Sequence, residues 1–319
     1  MNILIAAKDA GGAEVLSSWV QSHPLHHYLF VLGQPALRLF ERKCGQIINQ
    51  DIATIETVMS GIDLVLTSTS VPPVIEMSVI VAAKQKQVKT ITLLDHWAEY
   101  LQRFQYQGQT VLPDEIWVSD DDAYQMAITC FPPHMIYRQD NFYFQDIKKQ
   151  FQRYFDPTNR YQEHFPQNIL YICEPIDDVF IPGQIPSEYY GHTDVDAIRH
   201  CLNLLRQSYL LDSIRCVRLR LHPAEAVDKY DALIRETDRL QIETSVRRSL
   251  AEDLAWGHWV IGMSSMALMV ALYVGKEVFR CFPPHSFYPK LPSQELRDLD
   301  DNLRYVEQNL LTTSRSKWI

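Results

Sequence analysis

The sequence has no C-x-x-C pair: Cys44, Cys130, Cys173, Cys201, Cys216 and Cys281 lie far apart. This excludes a zinc ribbon and gives no disulfide framework, so reduced, mostly buried thiols are expected. No apolar run approaches the roughly 20 residues a membrane span requires. No Lys/Arg cluster stands out against a net charge of -9, which argues against a nucleic-acid partner. There is no G-x-G-x-x-G fingerprint, so a dinucleotide site and a dehydrogenase are unsupported. No internal repeat is evident. The chain enters its first apolar stretch with no basic n-region and no small-residue cleavage site. A cytoplasmic protein with at most peripheral membrane contact is expected, with no metal and no cofactor.

What is present is a strand-and-helix alternation. A length of 319 residues allows two domains, each with its own core. Residues 2–7 read as a continuous apolar strand, followed by a glycine turn at Gly11 and Gly12 and an amphipathic helix to about Ser22. Strands follow at 28–32, 63–66, 88–94 and 115–118, with helices between them, which is the pattern of one parallel, doubly wound sheet. Residues 141–167 break the alternation and are expected to be a linker between domains 1–140 and 168–319. The pattern restarts with strands at 168–173 and 216–221, a short one to Glu243, and 259–261. A helix-like tail covers 293–311.

Ligands of open parallel sheets bind beyond the carboxyl ends of the strands, and two such domains facing a central cleft would line it with both sets of ends. Asp9, Asp95 and His96 stand at those ends in the first half, and Glu174, His222, Glu243, Ser264 and Ser265 in the second. Gly262 ends an apolar strand, and Ser264-Ser265 opens the helix pattern that stops at Gly275. Unpaired N–H groups and the helix dipole favour an anion there, so a phosphate seat is expected, with a plain N-cap as the bland alternative. His222, followed by Pro223, could donate to the same phosphate or could simply terminate a strand. Asp95, ending an apolar strand, suits a general base, and Asp9 competes for that role. Gly11 and Gly12 read as a cleft loop that approaches a ligand or as tight strand-to-helix packing.

His222-Pro223 followed by Ser264-Ser265 resembles the HP and SS motifs of bacterial sialyltransferases, polysialyltransferases and capsule Kdo transferases. The resemblance implies a GT-B architecture of two Rossmann-like domains. It implies an inverting, metal-independent glycosyltransferase moving a sialic-acid-like or Kdo-like sugar from a CMP-sugar to a glycan or glycolipid acceptor in surface polysaccharide synthesis. His222, Ser264 and Ser265 would hold the donor phosphate, Asp95 would be the base, and Glu243 and Glu174 would serve the nucleoside. The family's acid-acid-glycine motif departs here to Asp95-His96-Trp97. A UDP-sugar or CDP-glycerol transferase, and a non-catalytic nucleotide-binding partner of a polysaccharide assembly complex, stand as alternatives.

Overall fold

Apolar runs become parallel strands buried on both faces, as parallel sheets covered by helices require. The computed structural model describes residues 1–156, 165–176, 190–223, 225–287 and 289–315. The chain divides into two compact units, Met1–Asp146 and Ile147–Ile319.

The first unit opens with β1 (Asn2–Ala7), whose residues from Ile3 to Ala7 are all fully buried. There follow α1 (Ala10–Ser22), β2 (His27–Leu32), α2 (Ala36–Cys44), α3 (Ile55–Val58), β3 (Leu64–Thr67), α4 (Ile75–Gln85) and β4 (Lys89–Leu93). A small hairpin of β5 (Gln105–Tyr106) and β6 (Gln109–Thr110) precedes β7 (Glu115–Val118), α5 (Asp121–Cys130) and β8 (Ile136–Arg138). The sheet order is β2-β1-β3-β4-β7-β8, every pair parallel. Leu4, Ala6, Val65, Met59 and Val79 share one face of its core. Asp120 caps α5 through the backbone nitrogen of Ala123 at 2.7 Å, offsetting one orphan donor of the helix start.

Helix α6 (Phe142–Tyr154) occupies the first half of the stretch expected as a linker. Tyr143, Ile147 and Phe151 recur every four residues and are buried, an apolar stripe at helical spacing that the charged residues between them obscure in the sequence. Residues 157–164 of the expected linker lie outside the described residues.

The second unit runs β9 (Asn168–Ile172), α7 (Asp194–Gln207), β10 (Cys216–Arg220), α8 (Asp231–Glu236), β11 (Ile242–Thr244), α9 (Leu250–Trp256) and β12 (Trp259–Gly262). It ends with α10 (Met266–Tyr273), β13 (Glu277–Arg280), β14 (Arg297–Asp298) and α11 (Leu299–Arg315). Its parallel sheet has the order β11-β10-β9-β12-β13-β14. Thr193 with Asp196 and Ser249 with Glu252 form capping boxes that fix where α7 and α9 begin. Tyr171, Leu219, Trp259 and Phe279 lie in one core, the last two rings 4.4 Å apart.

Candidate functional sites at the strand ends

In the first unit the chain leaves β1 for β2 and then crosses back to β3, so the topological switch lies between β1 and β3. Two sequence-expected residues come together there. Asp9 follows β1 and Asp95 follows β4, close enough that the charge of Asp95 raises the proton affinity of Asp9. Burial first, then Asp95, pushes the Asp9 carboxyl up to about 6, against the lowering pull of Lys8 and Arg103. Burial also raises Asp95, while Arg103 and a hydrogen bond from Thr69 lower it.

Residues 68–70 following β3 complete the cluster. Thr69 Oγ1 donates to Asp95 Oδ1 at 3.0 Å, and Arg103 Nη1 donates to Thr69 Oγ1 at 2.9 Å. Ser70 Oγ donates to Glu76 Oε2 at 2.8 Å, and the backbone nitrogen of Lys8 donates to Glu76 Oε1 at 2.9 Å. Glu76 is 1% exposed, and burial pushes its carboxyl up to about 7. Buried Glu76 and half-buried Asp9 and Asp95, all of raised proton affinity, therefore share one strand-end cluster with one guanidinium. Such an arrangement can hold and release protons near neutrality.

Gly11 and Gly12 are not a loop. Helix α1 starts at Ala10, ahead of both, because the turn needs only Lys8 and Asp9. A Cβ on Gly12 would meet Ser68 Cβ at 2.2 Å and Asp95 Cγ at 3.6 Å, so this glycine lets α1 lie against the site. His96 is half-buried beside Trp97. Trp97 is 2% exposed and donates through Nε1 to both carboxylate oxygens of Asp120 at 3.0 Å.

In the second unit the switch lies between β9 and β12. The backbone nitrogens before α10, where a phosphate was expected, are engaged by a carboxylate of the chain itself. Glu174 Oε1 accepts from the backbone nitrogens of Met263 at 3.1 Å, Ser264 at 2.7 Å and Ser265 at 3.0 Å. The Ser264 hydroxyl donates to the Pro289 carbonyl, and Ser265 caps α10 at Ala267. Glu174, expected to serve a nucleoside, has one oxygen committed to this turn.

His222 follows β10 in a closed turn. Its backbone nitrogen donates to Glu225 Oε2 at 2.7 Å, and Glu225 in turn accepts from Lys229 and Tyr230. Lys229 also pairs with the buried Asp194. Glu243 is bound by Arg218 Nε at 2.6 Å; that arginine lies 3.6 Å over the Trp256 ring and pairs with Asp253. The Glu243 carboxylate is thus tied to Arg218 as well as standing at a strand end.

No protein-family model and no curated protein matches the sequence. Solved structures do. S. aureus MnaA in its co-structure with UDP is similar at a TM-score of 0.61 and 13% identity, covering 98% of this chain and 89% of that one. The fold is GT-B. UDP-GlcNAc 2-epimerase from Neisseria meningitidis bound to UDP-GlcNAc is similar at a TM-score of 0.54 and 11% identity, covering 88% of this chain and 82% of that one. MurG from Acinetobacter baumannii is similar at 0.51 and 12%, covering 95% and 80%. At these identities the likeness is one of fold. It supports the GT-B expectation and does not extend to the sialyltransferase or Kdo-transferase type. No helix among the described residues is long and apolar enough to cross a membrane.

Thr69, Ser70, Glu76 and Arg103 were not anticipated from sequence. The hydroxyl-rich run Thr67-Ser68-Thr69-Ser70 at the end of β3 was the signal available for the first two. Glu76 lies inside a helix and Arg103 in a short turn after β4, where nothing in the spacing marks them.

Proposed function

We propose that the chain is a nucleotide-sugar-dependent glycosyltransferase whose donor is a UDP-sugar rather than the CMP-sugar expected from the motifs. The acid and hydroxyl cluster around Asp95 carries the reading, because it puts a proton acceptor at the strand ends of a GT-B fold. The UDP and UDP-GlcNAc complexes among the similar structures favour the UDP donor. Asp95, or its neighbour Asp9, takes the proton of an acceptor hydroxyl. The acceptor oxygen bonds to the anomeric carbon as the bond from that carbon to the donor phosphate breaks, and the electron pair leaves with the nucleotide. His222 and the turn at Ser264-Ser265 serve the donor phosphate in this reading, which requires Glu174 to yield its place. Calorimetric titration with UDP, UDP-GlcNAc, CDP and CMP tests it. Tightest binding of UDP or UDP-GlcNAc is expected; binding of CMP alone would return the donor to the sialyltransferase class.

A second reading is isomerisation of a UDP-sugar. Two neighbouring carboxyls of raised proton affinity, Asp9 and Asp95, are what removal and return of a proton at one carbon uses. The similar UDP-GlcNAc 2-epimerase structure points the same way. Incubation with UDP-GlcNAc in heavy water and no acceptor separates the two readings, since only isomerisation places deuterium on sugar carbon.

A further inference from the structure

The two aspartates of the first unit differ in what holds them. Arg103 is 8% exposed, and its Nε donates to the Ala98 carbonyl at 2.9 Å, which fixes where the guanidinium points. Its Nη1 then donates to Thr69 Oγ1 at 2.9 Å. A threonine hydroxyl has one proton, and an oxygen that is accepting from a guanidinium gives that proton elsewhere. Its acceptor is Asp95 Oδ1, at 3.0 Å. The direction of this chain requires an oxygen on Asp95 that accepts. Asp9 receives a backbone hydrogen bond from Val71 and faces the charge of Asp95.

Two more buried groups stand in the same region. Ser68 Oγ and Tyr100 Oη have no hydrogen-bond partner among the described residues. Ser68 is fully buried and Tyr100 is 4% exposed. The point where a Gly12 Cβ would lie is 2.5 Å from Ser68 Oγ and 3.6 Å from Asp95 Cγ, so this hydroxyl and the carboxyl flank the first turn of α1. Unsatisfied donors beside a fixed acceptor are what a polar ligand atom would complete.

We propose that Arg103 is a positioning residue which, through Thr69, fixes Asp95 as the proton-accepting member of the Asp9–Asp95 pair and leaves Asp9 to hold the proton. This rests on the reading of the cluster as the base of the transfer. The charged and titratable groups that face the pair are Lys8, Glu76, Tyr100 and Arg103, with Asp120 beyond Tyr100.

The test is carboxyl carbon NMR of aspartate-labelled full-length protein across pH, in wild type and in the Thr69→Val, Arg103→Met and Arg103→Lys variants. Asp95 is expected to titrate before Asp9 in wild type. Thr69→Val should raise the Asp95 midpoint by about one unit, as loss of a hydrogen bond to the charged form does. Arg103→Met should invert the order, and Arg103→Lys should restore much of it. Thr69→Val, which swaps a hydroxyl for a methyl group, carries the test if Arg103→Met fails to fold. Asp9 titrating first in wild type, or midpoints unmoved in Thr69→Val, overturns the assignment. If none of UDP, UDP-GlcNAc, CDP and CMP binds while the titration order holds, the transferase reading falls and the role of Arg103 stands.

Discussion

Glu174 Oε1 lies 2.7 Å from the backbone nitrogen of Ser264, and the same oxygen accepts from Met263 and Ser265. The donors that a helix start offers to an anion are here engaged by a side chain about ninety residues away in sequence. A phosphate that uses this turn has to displace a carboxylate. Glu174→Ala should therefore cost stability, about 2–3 kcal/mol for buried backbone donors left unpaired, in urea unfolding. Millimolar inorganic phosphate should raise the melting temperature of the variant and leave wild type unmoved, because ligand bound only by the folded state stabilises it. An equal response in both proteins would show that the carboxylate does not stand in the phosphate's place.

Gly12 is a packing requirement before it is anything else. Gly12→Ala puts a methyl group 2.2 Å from the Cβ of Ser68, which is fully buried just after β3. A loss of roughly 1–3 kcal/mol is expected from such overpacking. Adding Ser68→Gly removes the clashing atom, so the double variant should recover most of it. Two losses that simply add would mean that the pair is not in contact.

The contribution of Glu76 to stability should fall as pH rises from acid towards neutral. Glu76 titrates near 4.5 in the unfolded chain and at about 7 in the fold, so between those values the folded state keeps a proton that the unfolded state has released. Its contribution is intact below pH 4.5, shrinks through pH 7 and is constant above that. Asp9, raised to about 6, acts with the same sign. Glu76→Gln removes the Glu76 part. Its unfolding midpoint in urea should gain on wild type between pH 5 and pH 8, by up to roughly 3 kcal/mol for a shift of this size. A constant offset at both pH values would count against the buried, protonated Glu76.

Asp95→Asn should separate binding from turnover. It keeps an oxygen for the Thr69 hydrogen bond while removing the proton acceptor. Turnover on a UDP-sugar is expected to drop by about 10²-fold or more, with UDP affinity close to that of wild type. Comparable losses in both would make Asp95 a structural residue. Asp9→Asn should reduce turnover more at low pH than at high pH, because wild type itself gives up the Asp9 proton above about pH 6 and with it the function that the variant lacks.

The strands were legible because parallel strands buried on both faces spell continuous apolar runs, as in residues 2–7 and 259–262. The polar residues that follow such runs could be listed for the same reason, and Asp9 and Asp95 do share a cluster. What closes that cluster was not legible. Lys8, Thr69, Glu76 and Arg103 meet from four separate segments, and their joining depends on the crossing from β1 to β3 rather than on local spacing. The engagement of Glu174 was hidden for a related reason: a helix start looks open in sequence whatever lies across the neighbouring strand. Strand β14 and the hairpin of β5 and β6, two residues to a strand, are too short for any alternation to register.

Trp97 is 2% exposed, and its indole nitrogen donates to the same Asp120 that starts α5. Glycine at position 97 would leave an indole-sized hole in the core and strip the Asp120 carboxylate of a partner while it still caps a helix. The turn after β4 and the start of α5 thus share one carboxylate, so neither segment can change its sequence without unsettling the other.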